Sequence, residues 1–332
     1  MKEILLAHGG GGEETRELIE KLFFKHFKNP LLASMEDATI ISGSRQLAFT
    51  TDSFTVSPLF FQGGNIGKLS IAGTVNDLAV MGARPRYLSC AFIIEEGFPL
   101  TDLETIVASM GEELKSSGAQ IITGDTKVVP RGSADGLFIN TTGIGEVVFP
   151  GLSVQHIQPG DAIVVSGTVG DHGACIMAQR EGIELESNLT SDCATLWPLI
   201  EPILAADLEL HAMRDPTRGG LAAVLNEWAT GAGIGIDVEE AQIPVRPEVM
   251  GLCELLGMEA TSLACEGRVV IALPEQQADQ LLAMMKQHPL GEGSTVIGTV
   301  TADHPGTVIL HTEYGARRIL EPPQGELLPR IC

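Results

Sequence analysis

Four aspartates lie at apparent ends or breaks of structural elements. They are Asp52 in Thr50-Thr51-Asp52-Ser53, Asp77 in Thr74-Val75-Asn76-Asp77-Leu78, Asp125 in Thr123-Gly124-Asp125-Thr126-Lys127, and Asp215 in Arg214-Asp215-Pro216-Thr217-Arg218-Gly219-Gly220. Singly, each is most simply a cap or turn acid. Together they supply hard oxygen ligands beside glycine and threonine, which is what a magnesium-nucleotide site needs, since such cations bridge carboxylates to phosphates. Asp77 is the least ordinary of the four, because an Asn-Asp pair inside a helix of small apolar residues lowers helix propensity without structural return.

Two further features bear on phosphate and on covalent chemistry. Residues Gly9 to Gly12 precede a run with Leu18, Leu22, Phe23 and Phe27 on one face, closed by Asn29-Pro30. A glycine loop ahead of a helix presents N–H groups and a positive dipole end to phosphate oxygens, although four glycines also make a simple turn. The run is neither a Lys-terminated phosphate loop nor a strand-led dinucleotide fingerprint. His8 and His172 stand beside glycines and could touch phosphate, but a structural or surface role is the plainer one. The last residue of the sequence is Cys332, reached through Glu321-Pro322-Pro323-Gln324-Gly325, a stretch with no apolar periodicity that should be extended. Eleven residues from Pro322 to Cys332 can carry the sulfur roughly 35–40 Å from the body. Such a thiol is either a tethered reagent or a frayed end.

These residues must be positioned by an α/β scaffold. Strand patterns cover 47–51, 87–94, 120–123 and 137–146, with helices expected at 66–81 and 103–114. A turn-rich boundary falls at 151–160. Beyond it the same style continues, with strands at 162–166, 235–238, 269–273 and 294–299 and helices at 171–179, 192–205, 218–230, 247–256 and 276–287. Residues 1–150 and 151–320 therefore read as two α/β domains of the α+β kind, followed by a flexible tail, 321–332.

Composition narrows the function classes. The 332 residues carry 43 acidic against 21 basic side chains, a net charge of -22, which repels nucleic acid and anionic membranes. An anionic substrate would need local help from bound cations, lysines or backbone amides. The six cysteines form no Cys-x-x-Cys pair, so neither a disulfide framework nor a zinc site is expected. No apolar run approaches the length of a membrane span, and the N-terminus lacks the pattern of a secretory signal. A cytoplasmic protein is expected.

In order and spacing, Asp52-Ser53, Asn76-Asp77-Leu78-Ala79-Val80-Met81-Gly82, Gly124-Asp125-Thr126-Lys127 and Asp215 to Leu221 resemble the ATP-site motifs of the aminoimidazole ribonucleotide synthetase and selenophosphate synthetase superfamily. Within it, Leu6-Ala7-His8-Gly9-Gly10-Gly11-Gly12, the stretch from Asp52 to Asn65 and the closing Pro329-Arg330-Ile331-Cys332 resemble the HypE family of hydrogenase maturation proteins. The resemblance implies a PurM-like fold with mixed sheets, a homodimer formed through the N-terminal halves, and ATP with Mg²⁺ as cofactors. Its implied nucleotide-site residues are Gly9, Gly10, Gly11, Gly12, Asp52, Asn76, Asp77, Asp125, Thr126 and Asp215, of which Asp52, Asp77, Asp125 and Asp215 would hold the metal. It further implies that the carbamoyltransferase HypF loads Cys332, that ATP drives dehydration of the S-carboxamide to a thiocyanate, and that a HypC-HypD complex receives the cyanide for iron. Lys127 would serve as the cation on the transferring phosphoryl group and Glu266, in Ala264-Cys265-Glu266-Gly267-Arg268, as the base. The chain departs from the family pattern at Cys265 and Arg268. Two other classes stay open: a superfamily enzyme acting on a free small molecule, and a scaffold whose tail is only a docking peptide. Selenophosphate synthetases carry a reactive Cys or selenocysteine and a Lys in the glycine loop, and Gly9 to Gly12 has neither.

Overall fold

The computed structural model describes residues 3–5, 18–29, 46–183, 189–321 and 330–332. The expectations placed on His8, on Gly9 to Gly12 and on a flexible stretch from Pro322 to Pro329 lie outside those residues.

The first half begins with α1 (Phe24–Phe27), which continues a π-helical turn, Ile19–Phe23. It then runs β1 (Leu47–Phe54), a small hairpin of β2 (Phe60–Phe61) and β3 (Gly64–Asn65), α2 (Ile66–Val80), β4 (Ala83–Glu95), α3 (Leu100–Ser117), β5 (Gln120–Val129) and β6 (Leu137–Val147). The sheet has the order β1-β6-β4-β5, with β4 and β5 parallel and the other pairs antiparallel. The parallel pair is joined by α3, as a crossover connection requires. Helix α2 starts where the Asn65 side chain caps the N–H groups of Gly67 and Lys68, and it is buried around nearly its whole circumference. Only Lys68 and Asp77 along it escape full burial. A helix so enclosed places Asp77 in the interior of the molecule rather than on a solvated face.

Alternation along the strands sorts the sheet into two faces. Asp52, Thr141, Cys90 and Gly124 share one cross-strand row, and Thr74 of α2 meets both Asp52 and Thr141, so this row faces the helices. The next row contains Ser53, Asn140, Ala91 and Asp125, and a further row on the same open side contains Phe138, Ile93 and Lys127. The open side carries exposed Leu47, Phe49 and Ile93, with Phe49 71% accessible.

The second half contains β7 (Asp161–Val165), α4 (Asp171–Arg180), α5 (Trp197–Leu204), β8 (Ala212–Arg214), α6 (Gly220–Ala232), β9 (Gly235–Glu239) and α7 (Pro247–Leu256). It closes with β10 (Val270–Pro274), α8 (Ala278–Met285), β11 (Thr295–Thr301), β12 (Val308–His311) and β13 (Arg317–Ile319). Its seven strands lie in the order β13-β12-β9-β11-β7-β10-β8, with β12 and β9 parallel. Both faces are apolar. Ala162 and Val164 of β7 join a core continuous with the first half, while Ile163 and Val165 join a second core under α6. The fold is thus α/β with mixed sheets, as expected, but five short strands (β2, β3, β8, β12 and β13) were not anticipated. The helix expected from Asp192 begins only at Trp197, where a proline occupies the first turn; Asp192 is spent on the Glu266 loop and residues 194–196 on contacts between the halves. Among the described residues, no helix is long and apolar enough to cross a membrane.

The two halves are tied by a buried amide. Asn76 donates from Nδ2 to the carbonyls of Ala194 (3.1 Å) and Glu266 (3.4 Å) and accepts at Oδ1 from the Leu196 N–H (2.7 Å). Beside it, Thr195 donates to Glu113 and Arg84 pairs with Glu201 at 2.7 Å.

Candidate active site

Three of the four aspartates converge with Glu266. Thr50 Oγ1 donates to Asp77 at 2.7 Å, and Thr74 Oγ1 donates to Asp52 at 3.2 Å, so a strand and a helix hold these two carboxylates side by side. Asp215 arrives from the end of β8, just before Gly219 and Gly220. Both glycines adopt left-handed φ values (80° and 60°), and a Cβ on Gly220 would lie 2.4 Å from the Leu263 carbonyl. Only glycine permits this approach, and it closes α6 against the loop that carries Glu266.

The cluster is electrostatically uncomfortable. Burial and the neighbouring Asp77 charge push Asp52 up to about 6, and burial with the same neighbour pushes Asp215 up to about 7. Glu266 is 2% exposed, and burial, followed by repulsion from Asp215, Asp192, Asp52 and Asp77, drives it well above the usual carboxylate range. Its Oε1 has no hydrogen-bond partner among the described residues. An unpaired buried acceptor carries a cost of about 1–3 kcal/mol unless something binds there.

The backbone of Glu266 is nonetheless firmly held. Asp192 accepts from the N–H groups of Glu266 and Gly267, both at 3.2 Å, and a Cβ on Gly267 would collide with the Asp192 carbonyl. Arg268 lies between Asp192 (3.7 Å) and Asp171 (3.4 Å), and Arg246 reaches Asp171 at 3.2 Å. Cys265 accepts at Sγ from the Gly170 N–H. Cys265 and Arg268, the two positions where a departure from the family pattern was expected, are both engaged in hydrogen bonds.

The end of the chain lies against this cluster. Thr55 donates its N–H (3.0 Å) and its hydroxyl (3.3 Å) to the Cys332 carbonyl, and Ser57 donates its N–H to the Arg330 carbonyl (3.2 Å), so the tail runs beside the segment that follows β1. Ile331 is buried, and Arg330 pairs with Asp135, lies over the Phe138 ring and donates to the Thr55 carbonyl at 2.7 Å. The Cys332 thiol is pushed up to about 12 by burial and then by Glu266, with Arg218 pulling the other way. That ordering places the sulfur in the field of Glu266.

Asp125 and Lys127 are not brought into the cluster within one chain. The expectation that Asp125 closes a strand is corrected, because β5 continues to Val129 and both residues lie inside it. They form an exposed pair at 3.6 Å on the open face, opposite to Asp52 and three strands away, or ~14 Å. Thr126 points to the helix-covered side of the same edge strand, in the row of Phe92, Ile139 and Phe54. Among the described residues, no three His, Cys, Asp or Glu side chains make a ready-formed metal cage. A magnesium ion asks for less, since it keeps waters and takes one or two carboxylates plus phosphate oxygens. The mutual repulsion of Asp52, Asp77 and Asp215 is what such a cation would relieve.

Asp192 escaped sequence reasoning in this role, since it read as the start of a helix; His172 read as a structural or surface histidine that could touch phosphate, and it is buried beside the tail, with Nε2 2.8 Å from the Ile331 carbonyl. A Ser-Asp pair just before Cys193 was the signal available for the former.

The AIR synthase related protein N-terminal domain family matches residues 35–147, and its C-terminal domain family matches residues 158–311. The sequence is 49% identical over 342 aligned positions to carbamoyl dehydratase HypE of Escherichia coli K12, covering 100% of both chains. The fold superposes with a TM-score of 0.95 on a crystal structure of hydrogenase maturation protein HypE in complex with ATP, at 45% identity and 99% coverage of each chain. It also matches a chain of a HypE-HypF complex with a TM-score of 0.80 at 45% identity, covering 92% of this chain and 99% of that one.

Proposed function

The chain belongs to the AIR synthase related family and, within it, to the HypE carbamoyl dehydratases, and from that premise we propose that it dehydrates a carbamoyl group carried on its own Cys332. The reaction is R–S–C(O)NH₂ + ATP → R–S–C≡N + ADP + phosphate, and it supplies cyanide for [NiFe]-hydrogenase maturation. The observation that carries this reading is the seat of the terminal residue, with the Cys332 carbonyl fixed by Thr55 and its thiol in the field of Glu266.

An amide oxygen is a poor leaving group, and phosphorylation converts it to phosphate. The carboxamide oxygen on Cys332 takes the terminal phosphoryl group of ATP. Glu266, with its free Oε1, accepts an N–H proton. Departure of phosphate with the C–O electrons, the second N–H proton passing to that phosphate, leaves the nitrile on sulfur. Asp52, Asp77 and Asp215 are the residues that would hold Mg²⁺ with the nucleotide. A cation held by these carboxylates would offset the part of the upward shift of Glu266 that comes, after burial, from its acidic neighbours. Gly9 to Gly12 are assigned to the phosphates on sequence grounds, while Asn76 acts from beneath by fixing the Glu266 carbonyl. Asp192 is the positioning residue that fixes the Glu266 amide.

Lys127 keeps its proposed role on the phosphoryl group only if a second copy of the chain delivers it. The open sheet face of the first half, with exposed Leu47, Phe49 and Ile93, is suited to a homodimer, and that pairing would bring Asp125 and Lys127 of one copy toward the site of the other, whereas Thr126 faces the helices of its own copy. The domain division at about residue 150 and the cytoplasmic setting belong to the same reading. Six cysteines, all unpaired, suit a reducing compartment. HypF would load the thiol when the tail leaves its seat, and a HypC-HypD complex would take the product. The test is Cys332→Ala, which should bind ATP like the parent and lose ATP-dependent dehydration; retained turnover would refute the assignment.

A further inference from the structure

Every carbonyl of the last three residues is claimed by a donor from the body of the protein. The Arg330 carbonyl accepts from the Ser57 N–H and from Arg180 Nη2, the Ile331 carbonyl from His172 Nε2 at 2.8 Å, and the Cys332 carbonyl from Thr55. These bonds all go to main chain, so the seat reads the course of the tail and leaves the sulfur free to be thiol, carboxamide or thiocyanate. His172 is the most fully built part of the seat. It is completely buried in the first turn of α4, Phe61 meets its ring edge-on at 5.3 Å, and Nδ1 lies 2.8 Å from the Ser191 hydroxyl. A carbonyl can only accept, so Nε2 carries the proton and Nδ1 accepts the Ser191 O–H, while Ser191 Oγ in turn accepts from the Cys193 N–H at 3.0 Å. Burial holds His172 below its ordinary range, in keeping with this neutral tautomer.

We propose that His172 is the positioning residue that seats Cys332 for reaction, acting through a hydrogen bond from Nε2 to the Ile331 carbonyl with its tautomer set by Ser191. This deepens the reading of the site as a dehydratase. His172 touches neither the reacting sulfur nor a phosphate; it decides where the sulfur sits. Because the bond goes to backbone, the same latch engages the tail before and after carbamoylation.

The test uses the full-length protein and two readouts. One is the rate at which iodoacetamide alkylates Cys332, followed by the mass of the terminal peptide. The other is single-turnover dehydration of the carbamoylated protein with Mg-ATP. Losing one buried donor opposite a carbonyl should make His172→Leu alkylate about tenfold faster and dehydrate about tenfold slower. His172→Gln, which restores an N–H donor, should lie within about threefold of the parent in both. Ser191→Ala should speed alkylation by about threefold, through loss of the tautomer lock. If His172→Leu does not fold, His172→Met replaces it as the donor-free side chain of similar length, and Ser191→Ala decides the matter if neither folds. Unchanged alkylation in a folded donor-free variant, or in Ser191→Ala when that variant decides, overturns the proposal, as does equal loss of turnover in Leu and Gln variants with alkylation unmoved. Alkylation needs no chemistry at the site, so a parent that fails to dehydrate would sink the functional reading and leave the latch to be judged by labelling.

Discussion

Two groups of buried acids sit on either side of the Glu266 loop, and they are built in opposite ways. Asp171 and Asp192 face Arg268, with Arg246 and the Thr168 hydroxyl also on Asp171, and Asp192 spends its oxygens on two backbone N–H groups. Asp52, Asp77, Asp215 and Glu266 face one another, with Arg218 acting on Asp52 and Arg214 on Asp215 among the described residues. The first group is largely compensated by cations and N–H donors, although burial and Asp192 still raise Asp171 and its Oδ1 has no hydrogen-bond partner among the described residues. The second is left with most of its mutual repulsion uncompensated among the described residues, and a protein maintains such strain where it binds or reacts. The paired group is the mount and the repelling group is the working surface.

The contrast is broken most forcefully by Glu266→Ala. It should slow dehydration by about 10²–10⁴-fold, the usual worth of a general base, while leaving Cys332 open to carbamoylation. Thermal melting should show no loss, because the substitution removes an uncompensated buried acid. A variant that dehydrates normally would return Glu266 to the structural group.

On the mount, Arg268→Met should cost ~3–5 kcal/mol of stability, since it removes the cation that two buried carboxylates share. Urea unfolding checks this, and a loss below ~1 kcal/mol would show that the network is too well hydrated to act as a mount.

A smaller effect is expected at Asp77→Asn, where one oxygen ligand loses its charge. ATP affinity in the presence of Mg²⁺ should fall by about tenfold, or ~1.4 kcal/mol, while the protein without nucleotide becomes somewhat more stable. Calorimetry that finds the same affinity removes Asp77 from the site.

The smallest effect sharpens the comparison through pH. Asp52 and Asp215 are raised, to about 6 and about 7, so the native state binds more protons than the unfolded chain between ~4 and those values. Their contribution therefore costs nothing below pH ~4 and becomes increasingly unfavourable up to pH ~7. Stability of the nucleotide-free protein should lose ground across that window relative to an Asp52→Asn/Asp215→Asn variant, and Mg-ATP should shrink the difference. Parallel stability-pH curves for the two proteins would contradict the repulsion argument.

Local pattern carried much of this architecture. Apolar periodicity located the helices that became α2, α3 and α7 and the long strands, and four short acidic motifs indicated where to look for a site. What sequence could not supply was sheet order and facing. Asp125 and Lys127 looked equivalent to Asp52 as loop acids and cations, yet one more turn of strand alternation on an edge strand puts them on the opposite face. Asp192 was absorbed into an expected helix, because its partners, Glu266 and Arg268, lie more than seventy residues away. The role of His172 depends on a bond to Ile331 across 159 residues, which no local motif encodes. Short strands such as β8 were lost because three residues cannot display an alternation.

The central claim is that the sulfur of Cys332 carries the reacting group. It is tested most directly by following the mass of the terminal peptide after carbamoyl loading by HypF and addition of Mg-ATP. The account predicts that the carbamoylated peptide loses the mass of one water in the parent and keeps it in Glu266→Ala. ATP-dependent cyanide formation by Cys332→Ala, or cyanide release from the parent with no change on the Cys332 peptide, would contradict it.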